Sequence, residues 1–186
     1  MSAQNRIKYE VRYATNPTDF KSYDTDRLRK DFLIENIFEK DRINLVYRFI
    51  VGGAFPVAHE LKLETIDPLK APNFLHRREL GIINVGGTGK VKIGNEEYTL
   101  NFKEALYVGS GSHEVTFLSN DPSNPAKFYI NSAPAHISYP TKHITLKEAN
   151  VIKAGSLKES NARTINQLIV KETVQICQLQ MGLTEL

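Results

Sequence analysis

One cysteine, little net charge and no long apolar run set the first limits on this 186-residue chain. A single thiol, Cys177, cannot close an internal disulfide, and its place among Val174, Ile176 and Leu179 reads as a buried structural side chain. The net charge is only +3, with 24 Lys and Arg interspersed among 21 Asp and Glu, so no basic face of the kind phosphate contacts need is present. Nucleic acid is therefore set aside as a partner. The densest basic stretch, 21–30, is broken by Asp24 and Asp26 and reads as a solvated face. No apolar run reaches the roughly 18 residues of a membrane span and no basic-then-apolar leader opens the chain. No membrane partner is expected, and the expected compartment is the cytoplasm.

Against those absences stands an ordinary globular composition, 41% hydrophobic and 24% charged, which excludes disorder as the default. The length fits one complete domain of roughly 100–150 residues with part of a second. Residues 1–33 form a polar arm, in which Thr25 or Asp26 can cap a brief helix over 27–32. Short apolar or alternating runs then follow one another at 34–38, 43–51, 57–64, 80–85, 90–93, 98–100, 105–108, 115–118 and 127–131, each closed by Gly, Pro, Asn or Asp. Regular short strands with turn punctuation predict an all-β fold, an antiparallel β-sandwich or barrel. The clearest local unit is 90–100. There Val91 and Ile93 alternate with lysines, Tyr98 and Leu100 alternate with polar residues, and Gly94-Asn95 suits a tight hairpin turn. After 131 the chain is less regular, with one helical turn expected at 145–150. A domain boundary is placed near Val151, followed by strands at 164–170 and 173–181 that look like the start of a second β domain.

Candidate chemistry is sparse. None of the five histidines stands two residues from another, the spacing that turns two imidazoles to one side of a strand, and so no metal site is expected within 1–186. His59 is expected on a strand face with Val57, Leu61 and Leu63. The most charged knot in apolar surroundings is His76-Arg77-Arg78-Glu79, leading into Leu80-Gly81-Ile82-Ile83-Asn84-Val85-Gly86-Gly87. Arg77 and Arg78 can fork a carboxylate and Glu79 can orient them or move a proton. The alternative is a structural pairing of these charges at a strand entrance. Glu79, six residues and Gly86 also match the tail of the first cupin motif, but its two histidines are absent, since Pro72, Asn73, Phe74 and Leu75 stand there.

Seven stretches together resemble the 5-keto-4-deoxyuronate isomerase family: Ile-Val-Gly-Gly at 50–53, the run 77–87, Ala-Leu-Tyr-Val-Gly at 105–109, Pro-Ala-Lys-Phe-Tyr at 125–129, Ala-Pro-Ala-His at 133–136 with Tyr139-Pro140, Arg-Thr-Ile-Asn at 163–166, and Cys-Gln-Leu-Gln-Met-Gly-Leu-Thr at 177–184. The resemblance implies tandem cupin domains. The first, without an intact metal motif, would occupy 34–150, and a second would begin at 151–186 and stay incomplete in this chain. It further implies one zinc ion per full-length subunit with ligands outside residues 1–186, homo-oligomeric, hexameric assembly, and interconversion of 5-keto-4-deoxyuronate with 2,5-diketo-3-deoxygluconate in pectin and uronate breakdown. Arg77, Arg78, Glu79 and His136 are the candidates for binding the keto-deoxyuronate substrate. Two other readings stay open: a non-catalytic sugar-acid-binding or assembly module ending at Leu186, and a 5-deoxyglucuronate isomerase relative. On the isomerase reading, the 186-residue segment by itself is expected to be inactive, to expose the apolar edges of an unfinished sheet at 165–170 and 174–181, and to associate unless the rest of the chain covers them.

Overall fold

The computed structural model describes residues 7–11, 38, 40–47 and 50–186. The helix expected at 27–32 lies outside them, as does the strand expected at 34–38 apart from Phe38. The described chain is almost entirely strand: β1 (Ile7–Val11), β2 (Ile43–Tyr47), β3 (Ile50–Ala54), β4 (Leu61–Lys62), β5 (Arg78–Asn84), β6 (Gly89–Ile93), β7 (Glu96–Leu100), β8 (Ala105–Val108), β9 (Val115–Ser119), β10 (Phe128–Pro134), β11 (Lys142–Ile144), β12 (Asn150–Ala154), β13 (Arg163–Ile169) and β14 (Met181–Glu185). They assemble into a seven-stranded sheet in the order β1-β2-β3-β10-β5-β8-β11, a four-stranded sheet β4-β9-β6-β7 and a three-stranded sheet β12-β13-β14. Pairing is antiparallel except between β1 and β2.

The seven- and four-stranded sheets face each other as the expected cupin-like sandwich. Period-two alternation explains which side chains fill it. Leu80 and Ile82 of β5, Leu106 and Val108 of β8, and Phe128 and Ile130 of β10 point inward to meet Val91, Leu100 and Phe117 from the opposite sheet. The Phe117 and Phe128 rings span the gap with centroids 5.3 Å apart. The alternate residues of the same strands are buried as well. Ile83, Ala105, Tyr107 and Ala133 form a second core with Leu168, Ile169, Val174, Leu179 and Met181. The central strands are thus covered on both faces, which is why their sequences read as unbroken apolar runs. One glycine makes the second layer possible: a Cβ on Gly81 would stand 2.1 Å from Met181 Sδ and 2.9 Å from Leu179 Cδ2.

Three expectations are corrected. The run 43–51 is two strands of a hairpin, with Val46 opposite Val51, and no glycine, proline, asparagine or aspartate marks the reversal. The run 57–64 keeps only β4, because Asp41 Oδ1 takes the backbone N–H groups of Val57, Ala58 and His59 at 2.9, 2.9 and 3.3 Å. His59 accordingly lies exposed in a loop and not on a strand face. The run 173–181 is irregular up to Met181, and its side chains Val174, Leu179 and Met181 are buried against the central sheet with Leu168 and Ile169, not left as exposed apolar edges. The hairpin at 90–100 is present as expected, with Ile93 opposite Glu96 and Gly94 at φ +57°. A 3-10 turn at Leu146–Glu148, closed by the Thr145–Glu148 capping box, stands where one helical turn was expected.

Candidate functional site

The charged knot opens β5, and strand alternation divides it between two faces. Arg78 is 8% exposed and turns toward the sandwich interior, where its Nε donates to Ser132 Oγ at 3.1 Å and its Nη2 to Ser132 O at 2.6 Å. Ser132 Oγ in turn donates to Glu79 O at 2.7 Å. Arg78 is thereby anchored between β5 and β10. Arg77 is exposed, and its carbonyl accepts the Ala135 N–H at 2.9 Å, which brings exposed His136 to the same end of the sheet.

Glu79 points to the face opposite Arg78 and is 0% exposed. Its Oε1 accepts the backbone N–H groups of Gln178 and Leu179 at 2.8 and 2.7 Å; its Oε2 accepts that of Cys177 at 2.9 Å and the Tyr107 hydroxyl at 2.9 Å. Four donors on one buried carboxylate make a clasp that holds 177–179 to the sheet. Those three N–H groups are the ones a strand through 173–181 would have offered to a ladder. Burial, and then the bond to Glu79, push the Tyr107 hydroxyl's pKa well above its ordinary value. Glu79, matched in sequence to the tail of the first cupin motif, thus faces the second core, while Arg78 takes the position toward the sandwich interior.

Around the clasp, Cys177 is half-buried and not fully buried as expected, with Sγ donating to Ile137 O at 3.3 Å, while Gln178 Nε2 donates to Pro134 O at 2.5 Å. One end of β5 and β10 therefore gathers an exposed guanidinium, an imidazole, an amide and a thiol over a rigid buried base. The sequence draws attention to Arg77, Arg78, Glu79 and His136 but not to Ser132, Tyr107 and Gln178, which hydrogen-bond to or beside them. Tyr107 sits in the apolar run 105–108, where nothing distinguishes a phenol that bonds a carboxylate from one that only packs. Elsewhere His143 Nε2 lies 3.0 Å from Glu104 Oε2, and His76 and His113 are exposed. Among the described residues no three His, Cys, Asp or Glu side chains come together as a metal ion would require. The donor set does not fit a zinc ion here.

Residues 50–185 match the model of the KduI/IolB family. A 4-deoxy-L-threo-5-hexosulose-uronate ketol-isomerase of Formosa agariphila is 56% identical over 183 residues, covering 96% of this chain and 65% of its own length. A protein of the same name from Bacteroides fragilis is 54% identical over 185 residues, covering 97% of this chain and 66% of its own length. The chain thus spans just under two-thirds of the length of these relatives. Among solved structures, an IolB-like protein from Salmonella typhimurium LT2 shares the fold with a TM-score of 0.53 at 14% identity, over 68% of this chain and 46% of that one.

Proposed function

This chain belongs to the KduI/IolB family, and on that basis we propose that it is part of a ketol-isomerase acting on 4-deoxy-L-threo-5-hexosulose uronate. The observation that carries the reading is the 56% identity with a relative of that name along 96% of the chain. The solved IolB-like structure is a fold likeness at 14% identity, which does not speak for substrate.

A ketol-isomerase moves a proton between neighbouring carbons while an enediol's charge is held, and it has to grip the substrate's carboxylate away from that chemistry. In this chain the exposed Arg77 guanidinium, beside His136, suits the carboxylate: it is planar and offers paired donors. Arg78 and Glu79 act one layer deeper. Arg78 ties β5 to β10 through Ser132, and Glu79 fastens 177–179, so both fix the backbone that carries Arg77 and His136. The zinc implied by the family resemblance would have its ligands outside residues 1–186, and no step is assigned to it. Homo-oligomeric assembly and a cytoplasmic setting complete the proposal.

At the length of its relatives, a protein carrying this segment is expected to convert 5-keto-4-deoxyuronate into 2,5-diketo-3-deoxygluconate, followed by the change in carbonyl carbon resonances. A folded protein of that length that leaves this substrate unchanged, while isomerising a 5-deoxyglucuronate, would move it to the other branch of the family.

A further inference from the structure

At the opposite end of β5 from the Glu79 clasp, roughly 20 Å away at about 3.3 Å of rise per residue, lies an open cleft of about 550 Å³. Its walls include Phe55, Phe102, Thr88, Asn124 and Lys127, above a floor at Gly86-Gly87. We propose that this cleft is a second binding site, apart from the isomerase centre, for a carboxylate-bearing sugar ring: a single uronate or the end of a short acidic oligosaccharide.

The cleft is held by a buried side chain. Asn84 is 0% exposed; its Nδ2 donates to Gly87 O and Leu100 O at 2.7 and 2.9 Å, and its Oδ1 accepts from Gly86 N and Lys127 N at 3.1 and 3.3 Å. One amide thus fixes three wall segments, so little ordering is left for a ligand to impose. The turn carrying Phe102 is equally rigid. Asn84 N donates to Glu104 O, Lys103 N donates to Asn84 O, and Asn101 N donates to Glu104 Oε2. Lys103 holds a left-handed φ of +67° there. A fastened turn with an uncommon backbone angle keeps a phenyl ring 57% exposed at the cleft rim, where burial alone gives no reason for it.

Charge selects the ligand's sign. Lys62, Lys90 and Lys103 are each paired with a glutamate, whereas Lys127 Nζ sits 5.3 Å from the Phe55 ring centroid and has no carboxylate within ion-pair distance among the described residues. A preformed cleft of this size, with one cation free of a carboxylate, the half-exposed Phe102 ring that the Glu185-paired Lys103 Nζ approaches to 5.2 Å, and the hydroxyl and amide of Thr88 and Asn124, matches an anion with an apolar flank and hydroxyl groups. That chemistry stands on the cleft; the choice of a sugar over other carboxylates rests on the uronate reading above.

The test is an amide-resonance titration of this chain with D-galacturonate, its trimer, neutral D-galactose and benzoate. Saturable shifts at Gly86, Gly87 and Lys127 with galacturonate are expected, with galactose at least tenfold weaker. Lys127→Met keeps the aliphatic stem over Phe55 and is expected to weaken galacturonate at least tenfold at unchanged melting temperature. Phe102→Ala, at an exposed position, is expected to weaken both sugars. Absent shifts, or shifts undiminished in Lys127→Met, overturn the site; benzoate binding as tightly as galacturonate overturns the ligand class. The same substitutions at the length of the relatives are expected to leave isomerisation unchanged. Loss of isomerase activity in the parent protein with cleft binding intact would sink the isomerase reading and not this one.

Discussion

At Glu79 a single carboxylate replaces a missing piece of sheet. Its two oxygens take the donors of Cys177, Gln178 and Leu179, of which the buried Leu179 N–H would without a partner cost about 1–3 kcal/mol. Glu79→Gln puts an amide N–H₂ against at least one of those N–H groups, and urea unfolding is expected to show a loss of about 1–3 kcal/mol. A variant within experimental error of the parent would remove the clasp from the account of stability. The two arginines next to it separate cleanly. Arg78→Lys removes a fork bonded to Ser132 and is expected to lower the melting temperature, with KM unchanged if the proposed isomerase activity is assayed in a protein of the relatives' length that carries this segment. Arg77→Lys, at an exposed position, is expected to raise KM at unchanged stability. The reverse pattern would assign substrate recognition to Arg78.

At the scale of elements, two turns show how local chemistry ends strands. Asp41, at φ +55°, receives three successive N–H groups from the loop after β3. Burial opposes ionisation of its carboxyl, but those three donors outweigh burial and hold its pKa below the ordinary 3.8. The folded protein thus binds this proton more weakly than the unfolded chain. The stability Asp41 adds is complete above the unfolded value and is lost as pH falls through the lowered one. The difference in unfolding free energy between parent and Asp41→Asn is therefore expected to be present at about pH 6 and to shrink toward about pH 2; a difference constant with pH would contradict this. Gly81 and Gly94 form a matched pair for a second test. Alanine at Gly94 meets open space but a left-handed backbone, for about 1–2 kcal/mol. Alanine at Gly81 meets Met181 and Leu179 in an extended strand, for about 1–3 kcal/mol. Asparagine, which tolerates the left-handed region, is expected to rescue position 94 and to make position 81 worse, as thermal melts of the four variants would report.

For the whole molecule, the second core decides what counts as a unit. Ile83, Ala105, Tyr107 and Ala133 are buried beneath Leu168, Ile169, Val174, Leu179 and Met181, so a chain cut at 150 leaves that face of the central sheet bare. Residues 1–150 alone are expected to bind a hydrophobic dye and to self-associate; a monomeric, dye-free fragment with the parent's melting temperature would support the domain boundary expected near Val151. The strand-by-strand alternation, the Gly94-Asn95 hairpin, the all-β class and the gathering of charge at 76–79 were legible in the amino-acid sequence, because each depends on residues a few positions apart. The hairpin within 43–51, the loop at 57–60 and the irregular path through 173–180 were not. Their backbone directions are set by partners that the local pattern does not contain: Asp41 for one loop, and for Leu179 a carboxylate 100 residues earlier. Sequence alone also placed Arg77, Arg78 and Glu79 together; tertiary structure sent them to solvent, to the sandwich interior and to the second core, since a pleated strand turns successive side chains to opposite faces and only the covering layers determine what each face meets.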